Sequence, residues 1–198
     1  KTFVPPQDKE RFNRMKGIEL TTENFKELAI RAKNNGLQFI STPLDMPSAV
    51  FLMEIVDAVK IASGDNTFYP LIEFVSKSDK PIILSTGFAN EEQINFSASL
   101  IEKNKSKNNF HSHLALLHCV SAYPVKPEDA NLSAIKELSM KFPRTPIGYS
   151  DHILGNEAAT LSVAAGAKIV EKHFTIDRNY SGFRDHQLSA DPNSMAEL

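Results

Sequence analysis

From about residue 37 onward, short β-rich runs alternate with longer segments of helical spacing, and this alternation restricts the fold more than any other feature. The β-rich runs are residues 37–41, 58–63, 81–86, 114–121, 145–150 and 167–174. Between them, Ala49, Leu52, Met53 and Val56 recur at helical spacing, as do Leu71, Ile72 and Val75, then Ile135, Leu138 and Met140. Thr22, just ahead of Glu23 and Asn24, is the expected N-cap of a helix over 25–35, with Gly36 as its left-handed stop. Asn131 is the expected cap of the helix before the fifth run, and Gly166 the end of the helix before the sixth. Residues 1–36 otherwise read as helix or loop, including a helical stretch over 11–15.

Strands alternating with helices imply a parallel sheet with right-handed crossovers. No glycine-rich dinucleotide fingerprint follows any strand, and Gly87 stands alone in its turn, which argues against a Rossmann fold. Polar residues instead gather at the strand ends: Ser41-Thr42-Pro43, Ser63-Gly64-Asp65, Ser85-Thr86-Gly87, Ser121-Ala122-Tyr123, Ser150-Asp151-His152 and His173-Phe174-Thr175. That is where a TIM-type (β/α) barrel builds its active site. A full barrel takes about 250 residues. Six of the eight βα units are visible in this α/β chain, so the expectation is a single partial barrel domain over 1–198. An open sheet of this kind leaves two unpaired edges, which extra sequence or oligomerisation would have to cover.

Composition narrows the function classes. Of the 198 residues, 41% are hydrophobic and 23% charged, enough apolar material for one sizeable core. The net charge of -2 is interspersed, with no basic block for nucleic acid or for an anionic membrane. No apolar run approaches the roughly 18 residues that span a bilayer, and no signal-peptide segment is visible. Cys119 is the sole cysteine, so neither an intrachain disulfide nor a cysteine metal cluster can form. A cytoplasmic enzyme is the expected class.

Strand parity selects the candidate site residues. Ser150 shares a face with His152, and Glu171 with His173, so both histidines point over the barrel mouth from neighbouring strands. Two imidazoles with open remaining positions suit Mn²⁺, Zn²⁺ or Fe²⁺ as a Lewis acid. Parity turns His118 outward as a structural histidine and places Cys119 with Ser121 and Tyr123 at the mouth. His111 and His113 fall in a polar loop with Lys103, Lys105 and Lys107 and read as solvated. Lys60 sits inside a strand, where a lysine is costly unless its amine meets an anion. Ser63, Ser85, Ser121, Tyr123 and Ser150 offer converging hydroxyl donors, which suits an oxyanion-rich ligand. Asp65 and Asp185 are either sugar-binding or basic carboxylates, or ordinary turn aspartates.

Five motifs occur in order: Lys60-Ile61-Ala62-Ser63-Gly64, Leu84-Ser85-Thr86-Gly87, Leu116-Leu117-His118-Cys119, Gly148-Tyr149-Ser150-Asp151-His152 and Glu171-Lys172-His173-Phe174-Thr175. With Asp185-His186-Gln187-Leu188-Ser189, they resemble the N-acetylneuraminate (sialic acid) synthase family from about Phe39 to the end. The resemblance implies a TIM barrel, a homodimer, and condensation of phosphoenolpyruvate with an N-acetylmannosamine-like amino sugar. It implies metal on His152 and His173, with Mn²⁺ the leading candidate. It also implies phosphoenolpyruvate contacts at Lys60, Ser63, Ser85, Tyr123 and Ser150, and a carboxylate near the substrate at Asp185. Asp65 stands where many members have glutamate and Ser121 where asparagine is frequent, and Thr42 and Ser121 are expected substrate contacts from their strand-end positions. The family's first two strands and its antifreeze-like C-terminal domain are not found in this sequence. Two other readings remain open: a Schiff-base barrel aldolase using Lys60, and an inactive fragment or interaction module that keeps remnants of the site.

Overall fold

All six β-rich runs become strands, and all run parallel. They are β1 (Ile40–Ser41), β2 (Ala58–Ile61), β3 (Ile82–Ser85), β4 (Leu114–Cys119), β5 (Ile147–Asp151) and β6 (Val170–Lys172), paired in chain order. The computed structural model describes residues 8–105 and 113–198. Residues up to Phe39 form one compact unit and Ile40–Leu198 a second.

In the first unit, α1 (Lys9–Gly17) and α2 (Thr22–Asn34) carry no buried residue. Thr21 rather than Thr22 caps α2: its hydroxyl accepts from Asn24 N at 3.2 Å, and the Asn24 side chain returns a bond to Thr21 N at 3.1 Å. Gly36 ends the segment at φ 72°, as its lack of a Cβ allows.

In the second unit, helices follow the strands: α3 (Met46–Leu52), α4 (Tyr69–Ser76), α5 (Glu91–Asn104), α6 (Ser133–Lys141), α7 (Glu157–Ala164), α8 (Arg184–Leu188) and α9 (Pro192–Glu197). Capping boxes at Asp45–Ser48, Asn90–Gln93 and Asp191–Ser194 start α3, α5 and α9. Every residue of β2, β4 and β5 is buried. Leu71, Ile72, Val75, Ile101 and Ile135 close over the sheet from the helices, all at 0% exposure. Each such side chain contributes about 1.5–3 kcal/mol of hydrophobic stabilisation relative to an exposed one. Met140, by contrast, is 66% exposed and outside the core.

The sheet is curled, a half-barrel rather than a flat layer. β2 and β6 lie four strand intervals apart in the sheet. A flat sheet would separate them by about 19 Å at ~4.8 Å per interval. Yet Lys60 on β2 and Glu171 on β6 come within 3.5 Å at their side-chain tips. At Gly148, β5 packs tightly against its neighbours. A Cβ there would lie 2.5 Å from Ile169 O and 2.5 Å from a Leu117 methyl, so β5 can seat only a glycine at that point.

The edge strands are shorter than the sequence suggests. β1 pairs only Ile40 and Ser41 with β2, and Leu37 is instead bonded to the end of α2 through Ala32 O. Ala167 bonds back to Ser162 at the end of α7, and Phe174 leaves the ladder to bridge Ala190. An edge strand is held from one side only, so local turns compete for its ends. Asn131 does not cap α6; it is left-handed (φ 46°) and accepts from Ser133 Oγ, while Leu132 holds the cap position. Gly166, at φ 110°, closes α7 as expected.

Candidate active site at the strand ends

The C-terminal ends of the strands surround a cavity of about 330 Å³. Its walls include Thr42, Lys60, Ser63, Ser85, Cys119, Ser121, Tyr123, Ser150, Glu171, His152 and His173. All but two of the expected site residues are thereby brought together. The two exceptions are Asp65, in the 3₁₀ turn Ser63–Asp65, and Asp185, on α8; neither lines the cavity. Asp185 is still near, because its charge acts upward on both Tyr123 and His173.

A ring of inward side chains forms the floor. Cys119, Ser150 and Glu171 share one register row across β4, β5 and β6. Ser150 Oγ donates to Glu171 Oε1 at 2.7 Å. Lys60, 8% exposed, donates from Nζ to Ser85 Oγ at 2.8 Å and to Ile61 O at 3.3 Å, and faces Glu171 Oε2 at 3.5 Å. These oxygens offset the cost of burying an ammonium.

Ser63 Oγ is buried and makes no hydrogen bond of normal geometry, although it lies close enough to Cys119 to favour the thiolate. A buried hydroxyl without a partner is costly unless a ligand satisfies it. The backbone makes room beside it. A Cβ at Gly87 would stand 2.7 Å from Ser63 Oγ and 2.5 Å from Ser121 Oγ, so the glycine keeps these two hydroxyls close. Asn66, 4% exposed, braces the same turn by donating to Ser85 O and Gly87 O at 3.1 and 2.7 Å.

The rim is aromatic and imidazole-rich. The His152 and His173 ring centroids are 5.3 Å apart with planes at 65°. Tyr123 packs on His152 at 4.2 Å and meets His173 edge-on at 5.9 Å. His152 Nδ1 lies 3.0 Å from Val120 O. Such a bond fixes the orientation of the ring. Burial lowers the His152 imidazole, but the Cys119 hydrogen bond, Val120 O and the Cys119 and Glu171 charges outweigh it, and the net shift is upward. His173 moves down, through burial first and then the His152 charge. Burial raises the Cys119 thiol, yet the His152 hydrogen bond, joined by Ser63 and Ser150, brings it below the ordinary thiol range. Among the described residues, no group of three or more His, Cys, Asp and Glu side chains is arranged around a common metal position.

Outside the mouth, His118 faces away as parity requires: its Nε2 lies 2.9 Å from Ala130 O and its ring stacks on Tyr149 at 5.8 Å. His113 is half-buried rather than solvated, and its Nδ1 has no hydrogen-bond partner. Lys105 is also buried, with Nζ donating to Ser78 O and Lys80 O, because the turn before β3 presents it with free carbonyls. His111 and Lys107 lie outside the described residues. No helix among the described residues is long and apolar enough to cross a membrane.

Glu171 lines the cavity and Arg184 stands over Tyr123, and neither is among the expected ligand-binding residues. The period-two spacing from His173 already placed Glu171 inward. Arg184, whose guanidinium carbon stands 5.0 Å from the Tyr123 ring centroid, has no such signal, because it arrives from a helix far along the chain.

A curled parallel sheet with one lysine, several hydroxyls and two imidazoles at its strand ends defines a (β/α)-barrel protein with a polar mouth. The NeuB family model matches residues 3–198, and the chain belongs to that family, as its motifs suggested. It is 36% identical to the N,N'-diacetyllegionaminic acid synthase of Legionella pneumophila, over 98% of this chain and 54% of that protein. It is 33% identical to the human N-acetylneuraminate-9-phosphate synthase, over 91% of this chain and 49% of that protein. The crystal structure of N-acetylneuraminic acid (sialic acid) synthetase from Leptospira borgpetersenii, in complex with citrate, superposes with a TM-score of 0.89 at 41% identity. That match covers 97% of this chain and 65% of the other. The chain thus spans about half the length of the curated relatives it matches.

Proposed function

We propose that this chain carries the active-site half-barrel of a synthase that condenses phosphoenolpyruvate with an N-acetylmannosamine-like amino-sugar aldehyde, giving a sialic-acid-type nonulosonate and phosphate. One observation carries the reading: a buried lysine, an unpartnered serine hydroxyl and two imidazoles all open onto one cavity. Family membership and the names of the two synthases above support it.

The donor set is compatible with a divalent cation, Mn²⁺ first. With metal–nitrogen bonds near ~2.1 Å, two imidazoles on one ion hold their centroids roughly 5 Å apart, close to the 5.3 Å observed. His152 Nδ1 is already engaged by Val120 O, as a ligating histidine's second nitrogen commonly is. Two protein ligands leave positions for substrate oxygens and water, in keeping with the lack of a third such donor among the described residues. A cation held by His152 and His173 would supply Lewis-acid polarisation of the aldehyde oxygen.

The chain's own residues do the rest. Lys60 supplies the fixed positive charge that holds an anionic group of phosphoenolpyruvate, and Ser63, Ser85 and Ser150 donate hydroxyls to its oxygens. Ser121 and Thr42 complete the wall. Tyr123, packed on His152, forms one side of the cavity. To Asp185, next to Arg184 and near Tyr123 and His173, we assign a bond to a sugar hydroxyl, with Asp65 in the turn after Ser63 as a second candidate; neither lines the cavity itself. With both substrates held, C3 of phosphoenolpyruvate bonds to the aldehyde carbon and the aldehyde oxygen takes a proton. Water adds at C2, and the C2–O bond breaks to release phosphate. Such positioning is itself a large part of the rate enhancement.

The test is phosphate release by the full gene product with phosphoenolpyruvate, Mn²⁺ and a panel of mannosamine derivatives. Release that depends on one amino sugar supports the reading. No release with any of them, under conditions where the protein is folded, refutes it.

A further inference from the structure

Behind the mouth, on the opposite face of β5 and β6, lies a buried ion pair that the proposed chemistry does not use. Lys172 Nζ stands 2.6 Å from Asp151 Oδ2, with side chains only 3% and 0% exposed. The two residues face each other directly in the β5–β6 register. Lys172 Nζ also donates to Ile153 O at 3.1 Å, and Asp151 Oδ1 accepts from Ile153 N at 2.9 Å. The pair therefore ties together the end of β5, the end of β6 and the turn that leaves β5. Tyr149, 1% exposed, backs onto it from the same face: burial, then the charge and hydrogen bond of Asp151, push its phenol up.

The position of the pair is informative. Asp151 immediately precedes His152, and Lys172 immediately precedes His173. Each charged side chain points back into the wall while the next residue points over the mouth. Stability alone is a weak reason to bury such a pair, because apolar residues of similar volume often serve as well or better. A pair that cross-links the two strands at this height does something apolar residues cannot. It fixes, through charge-assisted bonds of defined length, how far apart the two following imidazoles stand.

We propose that Asp151 and Lys172 are positioning residues for the His152–His173 pair, setting the spacing and orientation of the two rings through their buried ion pair and its bonds to Ile153. The inference rests on the reading of those rings as one cation site. Loss of an outer partner of this kind typically costs roughly 10- to 100-fold in metal affinity.

The test compares Asp151→Asn, Lys172→Met and the apolar double variant Asp151→Leu with Lys172→Met. Lys141→Ala, on the exposed Glu91 pair, serves as control. Two readouts are taken: Mn²⁺ affinity by electron paramagnetic resonance, and histidine side-chain ¹⁵N resonances of the metal-free protein. The single variants are expected to bind Mn²⁺ roughly 10- to 100-fold more weakly and to shift the His152 and His173 resonances. The double variant is expected to regain denaturation resistance while Mn²⁺ binding stays weak, which separates positioning from stability. Should a single variant fail to fold, the double variant decides. Wild-type Mn²⁺ affinity and unshifted resonances in the double variant would overturn the proposal. If the unmodified protein itself binds no Mn²⁺, the cation reading falls, and the ring resonances alone decide the positioning role.

Discussion

Lys60 on β2 and Glu171 on β6 meet at 3.5 Å across the mouth of the half-barrel, and Ser85 and Ser150 hold them there from β3 and β5. The contact makes the lysine a fixed cation in a cavity otherwise lined by hydroxyls and rings. Replacing Lys60 by Met keeps the bulk and removes the charge. A charged hydrogen bond to a ligand is worth about 1.5–3 kcal/mol, so the KM for phosphoenolpyruvate should rise roughly 10- to 150-fold. Steady-state phosphate release against phosphoenolpyruvate concentration checks this; an unchanged KM would remove Lys60 from the anion site.

The same lysine separates the synthase from a Schiff-base aldolase. Its Nζ donates to Ser85 Oγ and Ile61 O, and an imine at that nitrogen would require these contacts to break. Borohydride in the presence of a keto or aldehyde substrate should leave the protein's mass unchanged, while a chelator should abolish turnover. A reduced adduct on Lys60 in the mass spectrum would reverse the assignment.

Gly87 gives a steric test of the cradle. In Gly87→Ala the new methyl would stand 2.5 Å from Ser121 Oγ and 2.7 Å from Ser63 Oγ, with Cys119 O at 3.1 Å. The two hydroxyls must turn or move away, so binding of phosphoenolpyruvate should weaken by about tenfold or more if each donor contributes ~1 kcal/mol. Far-UV circular dichroism should be unchanged, because most of the strain falls on serine side chains. Calorimetric titration measures the loss; full affinity would place the anion elsewhere.

Cys119 provides a pH dependence. Burial works against its thiolate, but the His152 hydrogen bond and the contributions of Ser63 and Ser150 more than offset this, and the thiol is lowered. The thiolate is the reacting form, so in the metal-free protein alkylation by a small reagent should reach half its maximum rate below the ordinary value of ~8.5. His152→Ala removes the largest lowering influence and should move that midpoint up. A midpoint at or above the ordinary value in the unmodified protein would contradict the geometry.

Much of this was legible in the sequence, for physical reasons. Period two along 147–151 and 170–173 settled which residues face the mouth, because alternation in a strand is a geometric necessity. That is why Ser150, His152 and His173 are found where parity put them, and why His118 is outside. Strand edges were less legible: the ends of β1 and β6 depend on which turn captures Leu37, Ala167 and Phe174. Least legible were contacts between distant elements. Nothing local marks Arg184 as a neighbour of Tyr123, or Lys105 as a buried clamp on the turn before β3. The partner of Lys60 emerges only once the sheet curls.

Binding of Mn²⁺ to the metal-free protein, titrated by electron paramagnetic resonance in the unmodified chain and in His152→Ala and His173→Ala, bears most directly on the central claim. One ion should bind per chain, and each substitution should weaken it by about 100-fold or more, since half of the protein ligands are gone. Full Mn²⁺ binding and full turnover in either variant would contradict the account.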